Sequence, residues 1–133
     1  MTERRAAQLG VIGALAVVVG QVCVGAAWSL THDDPTAIEL TRRCLVRERG
    51  FAVEPTSGDA VAESASGGTL RTIVEGNLVT MSVGASLAEV ERLRAAYAAS
   101  DPGTRLDVYG RYVNLWLRDP SPTQRQGTYD CAY

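Results

Sequence analysis

From Ala6 to Thr31 the chain carries no charged residue, and the run includes Leu9, Val11, Ile12, Leu15, Val17, Val18, Val19, Val22, Val24, Trp28 and Leu30. An α-helix rises 1.5 Å per residue, so about 20 such residues cross a hydrocarbon core. The run opens after Glu3-Arg4-Arg5 and closes at His32-Asp33-Asp34, with Trp28 where an interfacial aromatic sits. Residues 6–31 are therefore expected to form a single transmembrane helix. Residues 1–5 then lie in the cytoplasm, and residues 35–133 form one extracytoplasmic domain at the cell membrane. Arg42, Arg43, Arg47 and Arg49 weigh against that orientation, although long translocated domains largely escape the charge rule. The competing reading is a secretory signal peptide: a basic start, an apolar stretch from Leu9 to Val19, and a small-residue exit at Val24-Gly25-Ala26. Cleavage there would release the domain. Either way the rest of the chain is exported.

Cys23 lies inside the apolar run, whereas Cys44 and Cys131 bracket nearly all of the domain. In an oxidising compartment such a pair can close, and a loop of that length would stabilise by roughly 4 to 5 kcal/mol. A Cys44–Cys131 disulfide is expected; two buried free thiols would be the reading for a cytosolic domain. The chain has a net charge of −2, and every one of its basic residues is arginine. Mild acidity argues against nucleic acid as a partner.

Asp34-Pro35 predicts a helix from Pro35 to Arg49 ending at Gly50, with Ala37, Leu40, Cys44 and Leu45 on its buried stripe. Phe51 to Glu54 reads as a short strand. Pro55 to Gly68 lacks periodicity and reads as a loop. Two hairpins follow. Thr69–Glu75 and Leu78–Val83 flank Gly76-Asn77, which pairs Val74 with Val79, Thr72 with Met81 and Leu70 with Val83. Thr104–Tyr109 and Tyr112–Leu117 flank Gly110-Arg111, pairing Val108 with Val113 and Leu106 with Leu115. The hairpins can be overlaid, Val74 on Val108 and Val79 on Val113, either as a duplicated helix-plus-hairpin unit or as two hairpins obeying the same rules. Ser86-Leu87-Ala88-Glu89 is a capping box for a helix ending near Ala99, and Ser121-Pro122 opens a shorter one running toward Cys131. The fold class is α+β: a mostly antiparallel sheet of two hairpins and a short strand, covered on one face by two helices.

No motif points to catalysis. His32-Asp33-Asp34 holds the one histidine, but adjacent side chains do not converge on a metal, so no metal site or cofactor is assigned. Serine or cysteine nucleophiles lack a histidine partner within the domain. Glu89 and Glu91 each precede an arginine by three residues and read as surface ion pairs rather than paired catalytic carboxylates. Gly67-Gly68 lacks the lysine of a phosphate loop. Arg42, Arg43, Arg47 and Arg49 form a basic run that reads as a solvated helix face.

One surface stands out: the reverse face of the second hairpin, with Arg105, Asp107, Tyr109, Tyr112, Asn114 and Trp116. Aromatic area beside hydrogen-bonding groups suits sugar rings or a protein partner. The alternative is that Trp116 stacks on Arg105 beneath the long loop or the C-terminal segment. The sequence thus reads as a membrane-anchored, non-catalytic interaction or ligand-binding domain. The second reading is a structural or accessory subunit of a membrane complex, in which residues 6–31 make the contact.

Overall fold

The computed structural model describes residues 34–133, so the expected membrane segment at residues 6–31 lies outside the described residues. None of the described helices is long and apolar enough to cross a membrane. Residues 35–133 form one compact unit, an α+β fold in chain order α1 (Ala37–Arg47), β1 (Val53–Glu54), α2 (Ala60–Glu63), β2 (Thr69–Val74), β3 (Asn77–Val83), α3 (Leu87–Ser100), β4 (Arg105–Tyr109), β5 (Tyr112–Trp116) and α4 (Pro122–Tyr129). The five strands make one antiparallel sheet in the order β1-β2-β3-β5-β4.

Each helix begins where a side chain satisfies a free N–H group. In α1 that side chain is Glu39, whose Oε2 accepts from Thr36 N–H at 2.9 Å. The helix therefore starts two residues after the expected Pro35. It ends at Arg47, two residues before the expected Arg49, and Gly50, with a φ of +69°, turns the chain back so that Phe51 N–H reaches Leu45 O at 2.9 Å. The α4 helix is capped by Ser121 and Gln124, and it runs on through Gly127. A Cβ at Gly127 would sit 3.4 Å from Val74 Cγ1 and 3.5 Å from the Phe51 ring, ordinary van der Waals distances, so this helix packs directly on the sheet.

The second hairpin has the expected register, Val108 opposite Val113 and Leu106 opposite Leu115. The first does not. Its turn is Glu75-Gly76, both at positive φ (48° and 75°), and Val74 pairs with Asn77, Thr72 with Val79 and Leu70 with Met81. That is a slip of two residues, which keeps every side chain on its expected face. Positive φ at both central positions is the two-residue turn that matches strand twist. It also frees Asn77 to bind the chain after β5: its Nδ2 donates to Arg118 O at 2.9 Å and its Oδ1 accepts from Arg118 N at 3.1 Å.

The sheet is covered on both faces, which corrects the expectation that two helices share one face. On the first face α1 and the α4 end of the chain bury Leu70, Val74, Val79, Met81, Val83, Tyr112 and Trp116 against Cys44, Leu45 and Cys131. On the second, α2 and α3 enclose Ala65, Val90, Leu93 and Tyr97 against Val113, Leu106 and Leu115. Two separate apolar clusters replace the single one expected because both sheet faces carry enough apolar residues to need a cover. The two hairpins do not present matching faces to the core. Val74 is 1% exposed on the first face, whereas Val108, its counterpart in the overlay, is 42% exposed on the second.

The segment 55–68 is a built part of the fold. Asp59 caps α2 by accepting from Ala62 N at 3.0 Å, and Gly67 N–H donates to Val83 O at 2.9 Å.

Cys44 and Cys131 form a disulfide with Cα atoms 5.5 Å apart and a separation of 87 in sequence. It joins the buried face of α1 to the end of the chain just after α4.

Candidate functional site

The six residues expected to form an outward binding face separate into two groups. Tyr112, Asn114 and Trp116 are 2%, 1% and 2% exposed, so they belong to the core rather than to a surface. That corrects the reading of this hairpin face as an outer one. The cover is α4 and the residues after it, pinned by the disulfide. Tyr112 hydroxyl lies 2.6 Å from Thr41 Oγ1 on α1, and Tyr133 N–H donates to it at 3.3 Å.

The edge-strand residues face α4 more loosely. Asp107 accepts a hydrogen bond from Tyr129 hydroxyl, and Tyr109 stacks on the Tyr129 ring at 4.2 Å between centroids with planes 11° apart. Arg105 stays exposed, pairing with Asp119 at 3.1 Å and donating to Leu117 O at 3.2 Å. Burial, then the Asp107 bond, pushes the Tyr129 hydroxyl up to about 12. Both favour the neutral phenol, as suits a structural donor. The sequence held a signal for this cover: Ser121-Pro122 with Gln124 three residues after the cap announces a helix, and Cys131 ties its end to α1.

The concave surface that sequence reasoning missed lies on the second face. Where the face beyond α2 and α3 opens, a cleft of about 400 Å³ is lined by Leu78, Thr80, Leu115, Leu117, Arg71, Arg105, Trp116, Asp59 and Asp101. Its rim carries two cations and two carboxylates. Most of these already have protein partners: Asp59 accepts from Ala62 N–H and from Tyr97 hydroxyl at 2.9 Å, Asp101 accepts from Gly103 N–H at 3.0 Å, and Arg71 donates to Ser57 O at 3.3 Å. Burial and the adjacent Asp59 carboxylate raise the Tyr97 hydroxyl above its usual range. Beside the cleft, Ile73 is 49% and Leu117 62% exposed. Ile73 pairs with Leu78 across the first hairpin, and Leu117 N–H donates to Leu78 O at 2.9 Å, so the three are neighbours. A mixed floor of leucines and Thr80 with charged walls suits contact with another polypeptide more than proton transfer.

The remaining sequence candidates have structural partners. Glu89 accepts from Ser66 N–H at 3.0 Å, from Ser66 hydroxyl and from Ala85 N–H at 2.6 Å, which holds its carboxyl down at about 2. It therefore ties the 55–68 segment to the start of α3. Glu91 pairs with Arg94 through Nε at 2.9 Å. Gly67 and Gly68 are packing glycines: Cβ atoms there would meet Val83 O at 2.5 Å and Ile38 Cγ2 at 2.8 Å. Arg49 pairs with Asp130, while Arg42, Arg43 and Arg47 are exposed. His32 and Asp33 lie outside the described residues. Among the described residues no three His, Cys, Asp or Glu side chains are placed to hold a metal ion.

No protein-family model matches the chain, and neither a curated protein nor a solved structure matches it.

Proposed function

We propose that the chain is a single-pass membrane protein whose residues 35–133 form an extracytoplasmic, disulfide-bonded α+β module that binds a protein partner and performs no catalysis. The observation that carries export is the Cys44–Cys131 disulfide, a bond that persists in oxidising compartments. The charge-free stretch from Ala6 to Thr31 supports anchoring. The contact surface is the second-face cleft with its exposed neighbours Ile73 and Leu117. Adjacent exposed apolar residues rimmed by charge favour a polypeptide over a sugar. A carbohydrate reading leaned on Tyr109, Tyr112 and Trp116 as stacking surfaces; Tyr112 and Trp116 are buried, and Tyr109 already stacks on Tyr129.

The test is co-purification from solubilised membranes. Ile73→Arg and Leu117→Arg should each remove the partner without lowering thermal stability, while replacing residues 6–31 with an unrelated span should retain it. Loss on span replacement alone would favour the accessory-subunit reading. A fusion reporter active only when exported, placed after Tyr133, should be active; an inactive fusion would end the export reading.

A further inference from the structure

Three neighbouring side chains on the first sheet face present polar atoms that are buried yet have no partner in the protein. They are Asn114 Oδ1 and Nδ2, Asp107 Oδ2 and Trp116 Nε1. Asn114 lies directly across from Asp107 in the β4–β5 ladder, and Trp116 follows two residues along β5 on the same face. Tyr129 of α4 reaches over to bond the other Asp107 oxygen, so α4 roofs this part of the face. Unmet polar groups of this kind are rare in folded proteins, because desolvating one without a hydrogen bond is costly. Here four occur together on a single patch.

Their chemistry balances. Asn114 Nδ2 and Trp116 Nε1 are donors; Asn114 Oδ1 and Asp107 Oδ2 are acceptors. A water molecule offers two donors and two acceptors and makes about three bonds when buried. A bare cation would leave both N–H groups unmet, and an anion would face the Asp107 carboxylate.

We infer that Asp107, Asn114 and Trp116 form an internal water-binding site between the second hairpin and α4. Ordered water there bridges the β4–β5 ladder and joins the Asp107–Tyr129 contact that holds α4 on the sheet. Asp107 and Asn114 lie on the first face and Ile73 and Leu117 of the proposed partner surface on the second, while Trp116 borders both, so the water is read directly rather than through partner binding.

The direct test is a water-to-protein NOE experiment on the full chain in micelles carrying Trp28→Phe, which leaves Trp116 as the one indole. Cross-peaks from the indole N–H and the Asn114 amide to water of long residence are expected. Their absence from both groups would overturn the site, as would a crystal structure showing Asn114 rotated into a direct bond with Asp107. Asn114→Leu gives a second readout. Loss of bridging water should lower the urea midpoint, whereas a raised midpoint would mean that the orphaned amide was simply a misfit in a dry core.

Discussion

The hydroxyl of Tyr112 on β5 lies 2.6 Å from Thr41 Oγ1 on α1, both groups buried and 71 residues apart in sequence. This bond ties α1 to the first sheet face, which it shares with α4. Tyr112→Phe should cost about 1–3 kcal/mol, because it strands the buried Thr41 hydroxyl. Adding Thr41→Val should restore part of that loss. Urea unfolding of the two single variants and the double variant would check it; simple additivity would mean that the two groups do not act as a pair.

The disulfide should be both protected and stabilising, since Cys44 is 3% and Cys131 0% exposed. Under native conditions neither cysteine should react with an alkylating reagent, before or after mild reductant. Replacing both by serine should cost about 4 to 5 kcal/mol by the chain-entropy relation. Mass spectrometry of alkylated protein and a denaturation series measure the two effects separately.

Trp116 is expected to behave as core and Tyr109 as surface. Trp116→Ala should destabilise by about 3–5 kcal/mol. Tyr109→Ala should lose only the stacking contact with Tyr129, about 0.5–1.5 kcal/mol. Comparable small losses at both positions would restore the second hairpin face as an outward surface.

Glu89 gives the domain an acid limit. Its folded-state value of about 2 lies below the ordinary 4.5, so between these values the unfolded chain binds the extra proton. Stability from this group is full above the unfolded value and is lost as pH falls through the folded one. Glu89→Gln should be less stable than the parent at neutral pH, with the difference shrinking from about pH 5 toward about pH 2. Urea midpoints across that range check the sign; a constant difference would remove the role of the charge.

Gly67→Ala should disturb the 55–68 segment, because the new methyl would meet the backbone oxygen of Val83 at 2.5 Å. Overpacking of this kind costs about 1–3 kcal/mol. Faster hydrogen exchange at the N–H of position 67, which in the parent bonds that same oxygen, would mark the site of the damage.

Local patterns carried much of the architecture. Gly110-Arg111 between alternating strands determined the β4–β5 register, and Ser86 and Ser121 marked the starts of α3 and α4. The spacing of Cys44 and Cys131 pointed to the bond that forms. These signals act over a few residues, or over one covalent link, and need no tertiary context. The Glu75-Gly76 turn was less legible, because a positive φ at glutamate depends on the gain from placing Asn77 against Arg118. Strand alternation separated two faces, but alternation alone does not say what each face meets. That was decided by packing: α1 and α4 took the face bearing Tyr112 and Trp116, and α2 and α3 took the other. The sequence alone therefore determined most of the elements, the register of the second hairpin and the cysteine pair, but neither α2 nor the turn of the first hairpin. Only the tertiary structure turned the aromatic face inward and left the cleft beside Ile73 and Leu117, because burial is a property of the whole chain closing on itself.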